Sequence, residues 1–239
     1  MEDNKISDIN NLVSSDMGYA NSIVYNMDCI EGMLNYGDNH FDLAIVDPPY
    51  GIGEASGQEE SRNKSKGRAQ TKVKYTIKDW DKEPPSIEYF KELTRVSKNQ
   101  IIFGANHFIE NIPNCNSSCW LIWDKDNTGD FADGELAWTS LKSAVRIFKW
   151  RWNGMLQQNM KNKEIRIHPT QKPVALYDWI MQNYAKEGDS ILDTHLGSGS
   201  SRISANKAGL DFTGFELDSD YFNDSEKRFK QFISQTRLF

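Results

Sequence analysis

The run Phe41-Asp42-Leu43-Ala44-Ile45-Val46 stops abruptly at Asp47-Pro48-Pro49-Tyr50, and no other segment of the chain restricts the fold as tightly. A short run this rich in apolar side chains reads as a buried strand. Two successive prolines cannot donate to a sheet ladder, so the chain must leave the sheet at Asp47. The same prolines fix the backbone around the Asp47 carboxylate and the Pro48 carbonyl. Two acceptors thereby point in defined directions, and an amino group has two N–H donors to offer them. Tyr50 supplies a flat apolar face on which a base can stack.

Other strands are read at Ser22 to Met27, Gln100 to Gly104, Ser118 to Trp123, Glu135 to Ser140, Ala144 to Lys149, Ser190 to Asp193 and Phe212 to Glu216. Helical spacing of Ile87, Phe90, Leu93 and Val96 predicts a helix starting near Ser86. A second helix follows His168-Pro169-Thr170-Gln171-Lys172-Pro173, with Pro173 near its first turn and Ala175, Leu176, Trp179 and Ile180 inward. Further helices start near Ser200 and end the chain. Strands alternating with helices imply an α/β fold with a mainly parallel sheet. Residues 1–20 read as a loose leader and 21–239 as a single domain. Within it, 51–85 is expected to be a mobile basic loop, because structureless stretches of this length are usually functional or disordered.

The stretch Asp193-Thr194-His195-Leu196-Gly197-Ser198-Gly199-Ser200 lies between a strand and a helix, where glycines let backbone approach a ligand closely. About twenty residues on, a second strand ends in Glu216, a spacing that suits an acid accepting hydrogen bonds from ribose hydroxyls. The third glycine of the dinucleotide fingerprint is missing and there is no Walker lysine, so dehydrogenase and P-loop readings fail.

Net charge is −6 over 239 residues, which does not suit a general nucleic-acid binder. A local basic stripe can nonetheless contact phosphates. Arg62, Lys64, Lys66, Arg68, Lys72, Lys74 and Lys78 form one, readable as a DNA contact or as a solvated loop. The three cysteines lack zinc-ligand spacing and read as reduced thiols. No apolar run reaches membrane length and the start is polar and acidic, so the cytoplasm is expected and a membrane is not.

Four segments together resemble the amino-methylating DNA methyltransferases in their circularly permuted β arrangement. They are Asn26-Met27-Asp28-Cys29, Asp47-Pro48-Pro49-Tyr50, His168 to Pro173, and Asp193 to Ser200 with Glu216. The resemblance implies a Rossmann-like S-adenosylmethionine-dependent fold: a mostly parallel seven-stranded sheet with one antiparallel strand and helices on both faces. The strands at 190–193 and 212–216 would then lie beside those at 22–27 and 41–46. The catalytic set would be Asp47, Pro48, Pro49 and Tyr50.

Gly197 and Gly199 would line the methionine and ribose parts of the cofactor, S-adenosyl-L-methionine, and Asp193 would face its amino-acid moiety. Glu216 would meet the ribose and Asp28 the adenine amino group, while Thr170 and Lys172 would meet the methionine end. Cys29, Gln171, His195 and Ser198 complete that cofactor set. His195 stands where the family usually has phenylalanine and is given an aromatic packing role; His40 and His107 read as structural. No metal is called for.

The favoured product is N6-methyladenine in DNA, from a flipped-out base. N4-methylcytosine is the rival, and family members acting there more often carry serine in place of Asp47. RNA or protein amide methylation fits less well, and a catalytically idle binding module is the reading from another class. Residues 150–167, with Arg151 among the DNA-contacting residues, form the candidate target-recognition segment. Trp123-Asp124-Lys125-Asp126 reads either as a border of the base pocket or as a strand end. A segment so short leaves room for a very short site or a homodimer, and a restriction endonuclease partner in the cell is also compatible.

Overall fold

The strands that carry the singled-out residues lie side by side in a computed structural model, which describes residues 20–52, 83–127, 132–153 and 156–236. In chain order these are β1 (Ser22–Asn26), α1 (Cys29–Met33), β2 (Phe41–Val46), α2 (Ile87–Val96), β3 (Ser97–Phe103), β4 (Trp120–Asp124), β5 (Gly134–Thr139) and β6 (Arg146–Lys149). Then come β7 (Trp152–Asn153), β8 (Leu156–Gln157), α3 (Val174–Tyr184), β9 (Ser190–Asp193), α4 (Ser200–Ala208), β10 (Asp211–Glu216) and α5 (Ser219–Thr236).

The main sheet has the order β1-β10-β9-β2-β3-β5-β4-β6. The first five strands pair in parallel. β5 runs against both neighbours, and β6 is parallel to β4. Among the described strands of this sheet, β5 alone is reversed, as expected. The expected count of seven is corrected to 8. The extra strand is β6, which extends the edge beyond β4 and lets Phe148 stack on Trp150 and Trp179.

Alternation along the strands sends side chains to two cores. Leu43, Ile45, Ile101 and Phe103 meet Leu176, Ile180 and Met181 of α3 on one face. Ala44, Val46 and Ile102 meet Met33 of α1 and Phe90 and Leu93 of α2 on the other. Ser86 caps α2 by accepting from the Tyr89 N–H at 3.3 Å. The buried face of α2 differs from the expected one at its start, where Tyr89 is buried and Ile87 is 45% exposed. A hydrogen bond of 2.6 Å between the Tyr89 hydroxyl and Thr194 Oγ1 accounts for that.

In α3, Pro173 is the cap and Tyr177 and Met181 take the inward places expected of Ala175 and Trp179. The face is rotated because Trp179 turns toward Phe148 and Tyr184. Among the described residues no helix is long and apolar enough to cross a membrane.

In an open parallel sheet the carboxyl ends of neighbouring strands share one edge, where loops can enclose a ligand. β1, β2, β9 and β10 adjoin in that sense, so Asp28, Asp47, the turn after Asp193, and Glu216 all emerge together.

Candidate active site

A cleft of about 520 Å³ opens at that edge, with Asp28, Asp47, Lys172, His195, Gly197 and Glu216 among its lining residues. Its volume lies within the roughly 300–1,000 Å³ usual for small-molecule sites. The prolyl tetrapeptide and the glycine turn, far apart in sequence, therefore face a common space.

The turn is held open by its own residues. Gly197 and Gly199 have φ of 50° and 70°, left-handed values that side-chain-bearing residues rarely adopt. Glu216 Oε2 accepts from the Gly197 N–H at 2.8 Å, and Oε1 from the Asp218 N–H at 2.9 Å. The Asp193 carboxylate accepts from the His195 N–H at 3.0 Å and from the Ser201 hydroxyl. Burial pushes Asp193 up to about 7. Asp193 is only 2% exposed and braces the turn through these bonds. Gly199 likewise serves as the cap of α4.

Ser198 lines the cleft, and its hydroxyl bonds Ser200 at 3.1 Å. Arg228 of α5 donates to the Ser198 carbonyl at 2.8 Å and pairs with Glu164 at 2.7 Å. The C-terminal helix is thus tied to the turn, a contact with no signal in the local sequence.

Asp28 caps α1, its Oδ1 accepting from the Ile30 and Glu31 N–H groups at 2.8 and 3.1 Å. Its other oxygen has no hydrogen-bond partner among the described residues. Cys29 lies beside it in the lining, its thiol pushed up to about 12, chiefly by burial. Thr170 Oγ1 bonds His168 Nδ1 at 3.1 Å, and the His168 ring packs edge-on against Tyr221. Gln171 reaches the cleft, but its side chain accepts from the Ile167 N–H at 2.9 Å and so secures the incoming loop. His195 packs edge-on against Tyr89, and burial lowers its imidazole to about 4. His195 is thus a neutral ring that both packs on Tyr89 and lines the cleft.

Lys172 lines the cleft and is held there by carboxylates. Its ammonium is paired with Asp47 Oδ2, lies 3.1 Å from Glu135 Oε2, and donates to the Tyr50 hydroxyl at 3.3 Å. Glu135 pairs in turn with Lys125 at 2.5 Å. Two carboxylates and two ammonium groups alternate, so their formal charges cancel. Burial lowers the Lys172 ammonium, but the Asp47 and Glu135 carboxylates outweigh it and the net shift is upward. Burial raises Glu135, but Lys172 and Lys125 overcome this and bring it to about 2. Asp47 is raised, with burial the leading cause and Lys172 opposing it.

Tyr50 donates to Asp47 Oδ1 at 2.8 Å. Its ring stacks on His107 with centroids 5.1 Å apart and planes 17° from parallel. Gly104 makes that position available. It has φ of 67°, and a Cβ there would sit 2.0 Å from Tyr50 Cε1. We expect Gly104→Ala to displace the Tyr50 ring and destabilise the protein by about 1–3 kcal/mol, from backbone strain and overpacking. Urea unfolding checks the magnitude, and an undisturbed tyrosine environment would refute the contact.

Pro49 lines the cleft, while Pro48 is buried behind it. Arg62, Lys64, Lys66, Arg68, Lys72 and Lys74, which the sequence suggested as DNA contacts, lie outside the described residues. Arg151 is half exposed and paired with Asp126, which also holds Lys149 at 2.6 Å. The segment 150–167 is partly built into the fold. β7 and β8 form a hairpin, and the Trp152 indole N–H donates to the Gln171 carbonyl at 2.8 Å. Glu135, Lys125 and His107 are site residues that sequence reasoning did not assign. Only the Trp123–Asp126 stretch, suspected as a pocket border, pointed toward one of them.

Fold and cleft together define an α/β protein with a candidate cofactor site at the carboxyl edge of its sheet. Residues 120–227 match the N6_N4_Mtase family model, described as DNA methylase. A segment of 77 residues, 32% of this chain, is 38% identical to 28% of the Type II methyltransferase M2.DpnII of Streptococcus pneumoniae. The Type II methyltransferase M.HinfI of Haemophilus influenzae is 22% identical over 85% of this chain and 67% of its own length. The matched parts thus span about a quarter of the first relative and two thirds of the second. The crystal structure of the M1.HpyAVI–SAM complex has the same fold, with a TM-score of 0.52 and 20% identity, covering 86% of this chain and 98% of that one. The family match over residues 120–227 and the two relatives support, for the matched parts of the chain, a likeness to the amino-methylating DNA methyltransferases.

Proposed function

We propose that this protein transfers a methyl group from S-adenosylmethionine to an exocyclic amino group of a base in DNA, with adenine N6 the favoured target. The observation that carries the reading is that Asp47 and the Gly197 turn line one cleft. The cleft suits that cofactor: carboxylates stand at two strand ends, Asp28 keeps an oxygen to spare, and glycine backbone is bared between them. Asp28, Gly197, Ser198 and Glu216 would hold the nucleoside and methionine parts.

When bound, S-adenosylmethionine supplies a methyl group on a sulfonium centre. The protein's task is to prepare the amino nitrogen, whose lone pair is delocalised into the base. Asp47 and the Pro48 carbonyl accept hydrogen bonds from its two N–H groups, and the nitrogen can then pyramidalise and localise that pair. The N–H proton left in surplus once nitrogen carries the methyl group departs by way of the Asp47 carboxylate. Acceptors fixed before the reaction stabilise the positive charge developing on nitrogen. Holding the reactants in contact contributes up to roughly 7–11 kcal/mol. A base inside a duplex cannot reach this cleft, so it is flipped out and stacked on Tyr50.

Aspartate rather than serine at position 47 supports adenine over cytosine. The exposed side chains of Leu156, Met160 and Ile165, with Lys161 and Lys163 between them, support a recognition role for residues 150–167. We also read the basic run at 62–78 as a backbone contact. The names of the relatives suit a cytoplasmic restriction–modification setting, with an endonuclease partner and room for a second subunit.

Digestion of treated DNA to nucleosides tests the function. N6-methyladenine is expected, N4-methylcytosine would move the target, and the absence of both would refute the reading. Tyr50→Ala should weaken binding of DNA carrying an unpaired target base by about 1–3 kcal/mol, the usual worth of one stacked base. Unchanged affinity would show that the base rests elsewhere.

A further inference from the structure

Both oxygens of the Asp47 carboxylate already have a partner in the structure: Oδ1 accepts a hydrogen bond from the Tyr50 hydroxyl and Oδ2 pairs with the Lys172 ammonium. An incoming amino group needs one of those oxygens. Lys172, 3% exposed, cannot simply turn to water, and a buried ammonium left without a partner is costly. It does have a second seat. Glu135 Oε2 lies 3.1 Å from Nζ, on the reversed strand β5, which lies on the side of β2 away from the glycine turn. Lys125 of β4 already holds the other oxygen of Glu135, Oε1.

We propose that Glu135 is a positioning residue that draws the Lys172 ammonium away from Asp47 when a target amino group enters, freeing Asp47 to accept its hydrogen. This rests on the methyl-transfer reading of the cleft. The movement needed is small, because Lys172 already touches both carboxylates. Charge is conserved within the alternating quartet, and no proton has to leave it. Lys125 keeps Glu135 from binding Lys172 permanently, since its own ammonium satisfies part of that carboxylate. The aromatic rings of Phe103 and Tyr50, 4.7 and 5.7 Å from Nζ, border the path with favourable faces for a cation.

Burial is the leading influence on Asp47, and the titratable groups coupled to it come from several elements: Lys172 before α3, Glu135 of β5, Tyr50 after β2, Tyr89 of α2, Tyr177 of α3 and Asp193 of β9. Those around Glu135 are Lys172, Lys125, Tyr50 and Tyr177. Glu135 is a like charge to Asp47 and Lys172 an opposite one, so their loss moves Asp47 in opposite directions.

The test compares wild type with Glu135→Gln and Lys125→Met, using methyl transfer across pH and 13C titration of the Asp47 carboxyl. Glutamine keeps the shape of Glu135 but cannot hold the ammonium, so Lys172 should settle on Asp47. Turnover should then fall about a hundredfold, the scale of misplacing a reacting group, with cofactor affinity unchanged. The acid limb and the Asp47 titration should move to lower pH by roughly one unit. Lys125→Met should move both to higher pH. A residue that only packs would move neither, and that result, or wild-type turnover in Glu135→Gln, overturns the proposal. If wild type itself transfers no methyl, the underlying reading fails, and the carboxyl titration records separately whether the charges are coupled as described.

Discussion

Asp47→Ala is expected to reduce methyl transfer by a factor on the order of 10³ or more while the protein stays folded and still binds S-adenosylmethionine. The size follows from removing one acceptor that acts on the reacting nitrogen, since single groups of this kind account for roughly 10²–10⁴ in rate. Retained folding follows from the quartet: Lys172 loses Asp47 but keeps Glu135 at 3.1 Å. Retained cofactor binding follows from placement, because Asp28, Gly197 and Glu216 belong to other strand ends and make no hydrogen bond to Asp47. Single-turnover transfer of labelled methyl, with cofactor binding by calorimetry, separates the effects. Transfer at the wild-type rate by a preparation with full cofactor occupancy would end the mechanism, and lost cofactor binding would move Asp47 from chemistry to binding.

That residue was legible from sequence because its constraint is local. A buried strand followed by two prolines can do little but end, and the end places a carboxylate at the sheet edge. The same holds for Gly197 and Gly199, whose left-handed φ values leave few alternatives, and for Ser86, which caps its helix within one turn. Adjacency of the four parallel strands could be expected from the order of the motifs.

Glu135 could not be read in that way. It begins an antiparallel strand whose pairing with β3 and β4 is set by contacts distant in sequence, and a lone glutamate at a strand start resembles any solvated one. The eighth strand was legible as a strand, at Ala144 to Lys149, but its place in the sheet, beyond the seven that the resemblance implied, was not. β6 sits on an edge with Ile147 65% exposed, so burial does not pin its place in the sheet. The contacts of Asp193 with the His195 N–H and the Ser201 hydroxyl were not legible either, because period-two alternation is lost where a strand gives way to a loop.

Lys172 tests how far the charge quartet supports the fold as well as the chemistry. Lys172→Met should destabilise the protein by about 3–5 kcal/mol, the cost of removing one partner from a buried ion pair. Methionine fills much of the volume, so packing is largely kept and the penalty is electrostatic: Asp47 and Glu135 are left facing each other without the cation between them. Both carboxyl groups would then be raised in the folded state relative to the unfolded one, by burial and by mutual repulsion.

A carboxylate raised on folding contributes stability that is present at low pH and lost as pH rises, so the variant's deficit should be largest near neutrality and shrink toward the ordinary carboxylate range. Wild type behaves oppositely at Glu135, which is held down to about 2. Its contribution is present above the ordinary glutamate value and lost as pH falls toward 2. Urea unfolding of both proteins across acidic and neutral pH should therefore give curves that converge on acidification. Had Lys172 served only to touch the methionine end of the cofactor, the two proteins would unfold alike in its absence and differ only in cofactor affinity.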